Sequence, residues 1–333
     1  MNRKNEHLQI CLNEDVQAQH TTTGLEEYTL EYDALPELDF EEISLETKFL
    51  GKTLSAPLMI GAMTGGTPQA AEFNKRLAQA AAEIGIAMAL GSQRPMLQNP
   101  EDESFMVKKY APKLKLLLGN LGAVQLNYGV QPSQIREILE KTQCDALNFH
   151  LNPLQEAIQP EGDKNFKNLL SKLHQTIDEL PYPVLIKEVG CGISTTTALK
   201  LKTLPIAGVE VAGVGGTSWA FIEAMRNQDP IAKTTGVHLK EFGVPTAQSI
   251  QICRKIFPEK YVVASGGLRT GLDIAKALAL GADIAAFALP ALKAAETHEI
   301  LQFLNQIVYE LKTILFITGS ANVRSLRGKI FKK

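Results

Sequence analysis

Four polar residues stand close together in one stretch, Asn148-Phe149-His150-Leu151-Asn152-Pro153-Leu154-Gln155-Glu156, which runs on to Gln159-Pro160-Glu161-Gly162-Asp163. They are His150, Asn152, Gln155 and Glu156: an imidazole, two amides and a carboxylate. No Ser/His/Asp order accompanies them, and no cysteine nucleophile. Such a set orients a polar substrate and holds a hard cation rather than forming a covalent intermediate. Glu156 lacks the His or Cys partners of a zinc site, so an ion held there would be a hard one such as Mg2+. His150 taken alone reads as a hydrogen-bonded structural histidine; in this company a ligand-facing role is equally open. The apolar run Ala146-Leu147-Asn148-Phe149 reads as a buried strand. The polar set then lies on the loop at its carboxyl end, where parallel α/β barrels place their chemistry.

The elements around that stretch repeat its pattern. An apolar run at 57–60 leads into Gly61-Ala62-Met63-Thr64-Gly65-Gly66, one at 86–90 into Gly91-Ser92-Gln93-Arg94-Pro95, and one at 114–118 into Gly119-Asn120-Leu121-Gly122. After the central stretch, 183–186 leads into Lys187-Glu188-Val189-Gly190, and 206–211 into Ala212-Gly213-Val214-Gly215-Gly216-Thr217. Then 261–264 leads into Ser265-Gly266-Gly267-Leu268-Arg269, and 284–287 into Ala288-Leu289-Pro290. Helical patterns fall at about 70–84, 133–141, 166–180, after Ser194, at 272–280 and at 297–316. Continuous apolar runs mean burial on both faces, as in a parallel sheet. About eight such units predict an α/β fold, a (β/α)8 TIM barrel, over a doubly wound sheet. The barrel takes residues 56–333, with residues 1–55 as an N-terminal extension. Within the extension, 39–45 alternates as a strand or hairpin would. Residues 1–10 read as a solvated tail, with an anion clamp of Arg3, Lys4 and His7 as the alternative. The long break at 219–245 follows the sixth strand on the active-site side, where a mobile flap is expected.

Composition narrows the classes. The 333 residues are 45% hydrophobic and carry a net charge of −2, with no basic excess for a nucleic-acid face. Cys11, Cys144, Cys191 and Cys253 are scattered, which suits a reduced compartment and a cytoplasmic location. The opening residues are polar with no apolar run of a secretory signal, and no apolar stretch of about 18 residues predicts a membrane span. Gly266-Gly267 after the seventh strand and Ala288-Leu289 after the eighth sit where barrels often bind phosphate; the alternative is a glycine pair serving only a tight turn. Lys187 ends a strand after apolar neighbours, so it faces a pocket or snorkels at the rim. Trp219, the sole tryptophan, reads as a core or flap anchor.

Together these residues resemble the type 2 isopentenyl-diphosphate isomerases, an FMN-dependent family. The likeness is carried by Arg3-Lys4-x-x-His7, the Gly61, Gly91 and Gly119 loops, His150-Leu151-Asn152-Pro153-Leu154-Gln155-Glu156 with Gln159-Pro160-x-Gly162, Gly215-Gly216-Thr217-Ser218-Trp219, the Ser265 loop and Thr318-Gly319-Ser320. It implies FMN contacts at Ala62, Met63, Thr64, Ser92, Asn120, Lys187, Thr217, Gly267, Leu268, Arg269, Ala288 and Leu289. It implies substrate contacts at Arg3, Lys4, His7, Ser92, Arg94, His150, Asn152 and Gln155, and Mg2+ at Glu156. It also implies a homotetramer, and turns the tail reading of residues 3–7 into a diphosphate clamp and lid, with the rest of the extension covering the barrel bottom. Ala212 stands where many relatives carry a hydroxyl, and Glu210 where an Asp is common.

The chemistry implied is migration of a double bond along a five-carbon diphosphate. A diphosphate calls for Arg, Lys, His and a divalent ion. Protonating an unactivated alkene calls for an aimed proton donor shielded from water. By resemblance reduced FMN is that donor, NAD(P)H serves only to reduce it, Lys187 stabilises its charge, and Gln155 and His150 complete the catalytic set. Two other readings stand beside this one. A 2-hydroxy-acid oxidase or dehydrogenase on a similar barrel would need a His beside the late Arg, absent from Ser265-Gly266-Gly267-Leu268-Arg269. A non-catalytic flavin or prenyl-diphosphate binder would leave the Gln155-Glu156 pair unexplained.

Overall fold

Eight short strands pair in parallel and close on themselves: β1 (Leu58–Ile60), β2 (Ala87–Ala89), β3 (Leu116–Gly122), β4 (Ala146–His150), β5 (Val184–Lys187), β6 (Gly208–Glu210), β7 (Tyr261–Ala264) and β8 (Ile284–Phe287). Each pairs with its successor, and β8 pairs back to β1. The computed structural model describes residues 3–333. Around the barrel run α1 (Arg3–Asn13), α2 (Pro68–Ile84), α3 (Pro132–Thr142), α4 (Pro153–Ile158), α5 (Leu169–Glu179), α6 (Thr195–Leu201), α7 (Trp219–Arg226), α8 (Pro230–His238), α9 (Thr246–Ile256), α10 (Gly271–Ala279), α11 (Leu289–Glu296) and α12 (Ile300–Ile317). Local chemistry sets their ends. In α2, Thr67 accepts the Ala70 N–H, Pro68 opens the first turn and Gly85 stops it at φ 80°.

The strands alternate between two apolar clusters. Met59, Ala87, Ala89, Leu116, Leu118, Leu185, Val263 and Ala286 fill the barrel interior. Their neighbours Leu58, Ile60, Met88, Leu117, Ile186 and Val262 pack outward beneath the helices. That is the two-residue period of a strand buried on both faces. The inward positions turn polar only at the carboxyl ends, at Asn120, Asn148, His150, Lys187, Glu210 and Ser265. Pairing register sets Gly122 beside His150, His150 beside Lys187, and Lys187 beside Glu210. One rim of the barrel thus carries a row of polar groups fixed by backbone hydrogen bonds.

The extension departs from its sequence reading in two places. No strand forms at 39–45. Asp39 accepts the Glu41 N–H and starts a 3-10 turn at Phe40–Glu42, so a local side-chain hydrogen bond overrides the alternation. The hairpin comes later, at Thr47–Phe49 and Lys52–Leu54, where Phe49 and Leu54 join the interior cluster and Phe49 meets Tyr261 edge-on at 4.9 Å. Residues 3–10 are not a solvated tail. They belong to α1, where His7, Leu8 and Cys11 are buried. Burying a leucine contributes about 1.5–3 kcal/mol, which favours the docked helix over a free segment. The break at 219–245 is no long loop: α7 and α8 occupy most of it and pack on each other and on α4. Among the described residues α12 is long and apolar enough to cross a membrane. Its buried stripe of Ile300, Leu304, Ile307, Leu311, Ile314 and Leu315 packs against α10 and α2.

Candidate active site

A cavity of about 210 Å³ lies at the carboxyl ends of the strands. It gathers the residues expected to contact cofactor, substrate and metal. Ala62, Met63, Thr64, Ser92, Asn120, Lys187, Thr217, Gly267, Leu268, Arg269, Ala288 and Leu289 line it. So do Arg3, Lys4, His7, Arg94, His150, Asn152, Gln155 and Glu156. The barrel loops form one wall; α1, with α7 behind it, forms the opposite one.

At the centre, His150 Nδ1 lies 2.8 Å from Asn120 Oδ1. With that oxygen accepting, Nδ1 carries the proton and Nε2 keeps its lone pair. Burial, with Lys187 and Lys4 adding positive charge, pulls the His150 pKa down to about 3. The imidazole is therefore neutral, and the positive charge of the site comes from Arg3, Lys4, Arg94, Lys187 and Arg269. Lys187 donates to Glu188 O at 2.6 Å and lies 3.5 Å from Glu210 Oε1. Its ammonium has a third proton to offer the cavity. Ser265 donates to Glu210 at 3.0 Å and accepts the Ala212 N–H at 3.0 Å. Ala212 sits at φ 39°, the left-handed region that costs a side-chain-bearing residue energy.

Asn152 and Gln155 leave the first turn of α4 toward the cavity. Glu156 is buried; it accepts from Asn152 Nδ2 at 2.9 Å and from the Asp163 N–H at 2.7 Å. Burial raises its pKa despite those two bonds. No group of three or more His, Cys, Asp or Glu among the described residues could cage a metal. A cation at Glu156 must take most of its ligands from water and substrate oxygens, which is the usual habit of Mg2+. Two lone-pair positions of the carboxylate remain for it.

The opposite wall rests on an acidic residue that the sequence reading did not select. Glu223 on α7 is fully buried. His7 Nε2 lies 2.9 Å from it, Gln155 Nε2 donates to it at 2.9 Å and Arg226 at 2.5 Å. Burial alone would raise its pKa; His7, Gln155 and Arg226 close around it hold it below the usual range. Gln159, with its amide oriented to satisfy both ends, donates to Glu223 at 3.0 Å and accepts from Arg3 at 3.0 Å. Arg226 also binds Glu6 at 2.8 Å, and His7 stands edge-on to Trp219 at 5.2 Å. These contacts tie α1 to Gln155 through α7.

These residues match known proteins in the same order. The FMN-dependent dehydrogenase family profile matches residues 2–102 and 123–333. Isopentenyl-diphosphate delta-isomerase of Nostoc sp. is 47% identical over 328 residues, 98% of this chain and 93% of that protein. The protein of the same name from Deinococcus radiodurans is 45% identical over 329 residues, 98% of this chain and 96% of that one. The chain belongs to the FMN-dependent, type 2 family of isopentenyl-diphosphate delta-isomerases. Solved structures confirm the fold. A flavocytochrome b2 variant aligns with TM-score 0.71 at 16% identity, covering 98% of this chain and 82% of that one. A mandelate oxidase variant aligns with TM-score 0.70 at 16% identity, covering 98% and 95%.

The isomerase-family site fits FMN by its own geometry. Thr64 Oγ1 and Asn152 Oδ1 are buried at the cavity without a protein partner. Such atoms need a hydrogen bond from something held there. The two late helices differ at their N-termini. A Thr270–Asp273 capping box closes the start of α10, while Ala288, the residue before α11, provides no side-chain cap. Pro290 has no N–H, so the Leu289 and Ala291 N–H groups of the first turn of α11 are what that helix could offer an anion such as a flavin phosphate. Gly266 and Gly267 have φ 97° and 77°, and a Cβ on Gly267 would fall 2.4 Å from Gly215 O. The pair is required by close approach of the two glycine loops. The sequence reading also missed Gln17, which lines the cavity and accepts from Arg269 Nε at 2.9 Å.

Proposed function

We propose that this protein interconverts isopentenyl diphosphate and dimethylallyl diphosphate, using reduced FMN and Mg2+. The observation that carries the reading is the pairing, across one cavity, of a cationic wall with an uncharged imidazole–amide floor beside flavin-type loops. Arg3, Lys4 and Arg94 bind the diphosphate by charge-assisted hydrogen bonds. Glu156 holds Mg2+ against the phosphate oxygens. Asn152 and Gln155 orient the substrate, and neutral His150 offers a lone pair without adding charge near a cationic intermediate. Docking of α1, with His7 against Trp219, keeps water from that intermediate. FMN, when bound and reduced, supplies the proton donor and acceptor that these side chains lack. Lys187 stabilises the negative charge of that cofactor.

The reading extends to NAD(P)H as the reductant of FMN, to a homotetramer and to a cytoplasmic location; four unpaired cysteines support the last. It extends also to residues 1–55 as a clamp over the site and a cover for the barrel bottom. A 2-hydroxy-acid oxidase is disfavoured, because such chemistry needs a base with appreciable proton affinity. Only His7 and His150 among the six histidines line the cavity, and both have depressed pKa values. The test is anaerobic photoreduction of the FMN-loaded protein, then isopentenyl diphosphate with Mg2+. Dimethylallyl diphosphate is expected; its absence overturns the reading and leaves a non-catalytic binder.

A further inference from the structure

The loop after α4 contains a contact that the proposed chemistry does not use. Arg94, on the loop after β2, donates from a guanidinium nitrogen to Asp163 Oδ2 at 2.6 Å. Gln125, buried after β3, donates to the same oxygen at 2.8 Å. The backbone N–H of Asp163 meanwhile donates to Glu156 Oε2 at 2.7 Å. One residue thus touches both the arginine of the anion wall and the buried carboxylate. We propose that Asp163 is a positioning residue for the diphosphate end: its side chain aims Arg94, and its backbone fixes Glu156.

Backbone contacts separate the two roles. The Gly162 N–H donates to Gln159 O at 3.1 Å, and a Cβ on Gly162 would fall 1.9 Å from Glu156 O. Close approach of the loop to the α4 backbone therefore sets the direction of the Asp163 N–H, independently of the Asp163 side chain. The side chain bonds one arm of Arg94. A guanidinium has five N–H donors, so this anchor leaves a fork for a phosphate. A carboxylate so close to an arginine would weaken anion binding if charge were its only effect. Held by Gln125, it instead limits the rotamers of a long side chain that is partly exposed, so less order is lost when the anion arrives.

The inference rests on the diphosphate reading, but inorganic pyrophosphate tests it without turnover. Its binding to the FMN-loaded protein is measured by calorimetry, with and without Mg2+, alongside the flavin spectrum. Asp163→Asn should weaken binding about tenfold at either Mg2+ level, as loss of a charge-assisted anchor implies. On an Arg94→Ala background the same change should add nothing, since the two act as one unit. Gly162→Ala should leave Mg2+-free binding intact and reduce the gain that Mg2+ gives. If Asp163→Asn fails to retain FMN, Gln125→Leu replaces it, with a smaller loss that also vanishes on the Arg94→Ala background. Unchanged or tighter pyrophosphate binding in Asp163→Asn, or in Gln125→Leu where that replaces it, would overturn the inference. So would a loss that persists without Arg94, or a wild-type protein that binds no pyrophosphate. A protein that makes no dimethylallyl diphosphate yet shows the coupling would overturn the isomerase reading and keep this one.

Discussion

The two walls of the cavity are built from different materials. The barrel wall joins backbone and small residues, Gly61, Ala62, Gly216, Gly267 and Ala288, to the polar strand ends at Asn120, His150 and Lys187. Its shape comes from strand register and from glycine loops that meet with no room for a Cβ. The outer wall is charged and comes from α1 and α7, outside the barrel. It is held by ion pairs, Arg226 with Glu6 and Glu223 and Arg3 with Glu161, and by the close approach of His7 to Glu223. A wall of backbone keeps its geometry whatever the salt. A wall of ion pairs depends on protonation, on ionic strength and on an element that can undock. The first suits a resident cofactor, the second a diphosphate that must enter and leave.

Removing the outer wall should give the largest effect. Deletion of residues 1–8 takes away Arg3, Lys4, His7 and the buried Leu8, and leaves the Glu223–Arg226 pair facing solvent. Each charge-assisted phosphate contact contributes about 1.5–3 kcal/mol, so losing two should lower kcat/KM for isopentenyl diphosphate by roughly 10²- to 10⁴-fold. The flavin spectrum should not change, because the barrel loops that line the cavity are untouched. Steady-state kinetics beside absorbance decide it; unchanged kinetics would mean that α1 is no clamp.

Glu156→Gln should come next. It removes one charge from a cation site where, among the described residues, no group of three or more His, Cys, Asp or Glu gathers, so activity at low Mg2+ should fall about 100-fold, with partial recovery at high Mg2+. FMN content, measured after heat release, should stay at the wild-type level. Gly267→Ala should do the reverse. An alanine at φ 77° is strained, and its Cβ would press on Gly215 O. FMN affinity should drop roughly tenfold or more, with little change in substrate KM once FMN is saturating. Equal effects of the two variants on both ligands would break the contrast between the walls.

The barrel was legible because its strands are buried on both faces, which leaves continuous apolar runs with polar ends. Asn120, His150 and Lys187 follow from that pattern, being inward positions at the ends of runs. The outer wall was not legible in the same way. Glu223 sits in Trp219-Ala220-Phe221-Ile222-Glu223-Ala224-Met225-Arg226, where a carboxylate reads as the wet face of an amphipathic helix. Its burial comes from His7 and Gln155, far away in sequence, and no periodicity records such a pairing. In α1 the apolar residues are confined to Leu8, Ile10, Cys11 and Leu12, too short a signal to distinguish a docked helix from a tail. At 39–45 the alternation was real, but the Asp39 side chain closes a turn that pattern alone does not anticipate. The family motifs recovered Arg3, Lys4 and His7 where local pattern could not.

The smallest expected effect is a pH limb that only the outer wall can produce. Lys4 is partly buried in the cavity, and burial, with Arg3 and Arg94 adding repulsion against the pull of Glu223, lowers its pKa from 10.5 to about 8. Below that pH the ammonium is charged and attracts a diphosphate; above it the amine is neutral. Binding an anion favours the charged form, so the pKa of the free protein should appear in kcat/KM rather than in kcat. The Lys4 contribution should therefore fall about tenfold per pH unit above 8 until the other cations set a floor. Stability should move the opposite way. Between pH 8 and 10.5 the unfolded chain keeps the Lys4 proton and the folded chain has lost it, so rising pH favours folding at this residue. Lys4→Arg keeps its charge throughout and should flatten the activity limb while leaving the flavin spectrum unchanged. Profiles of kcat/KM from pH 7 to 10 for both proteins make the comparison. A limb that persists in Lys4→Arg would assign the titration to another group, and with it the idea that protonation of the outer wall governs diphosphate capture through Lys4 would fail.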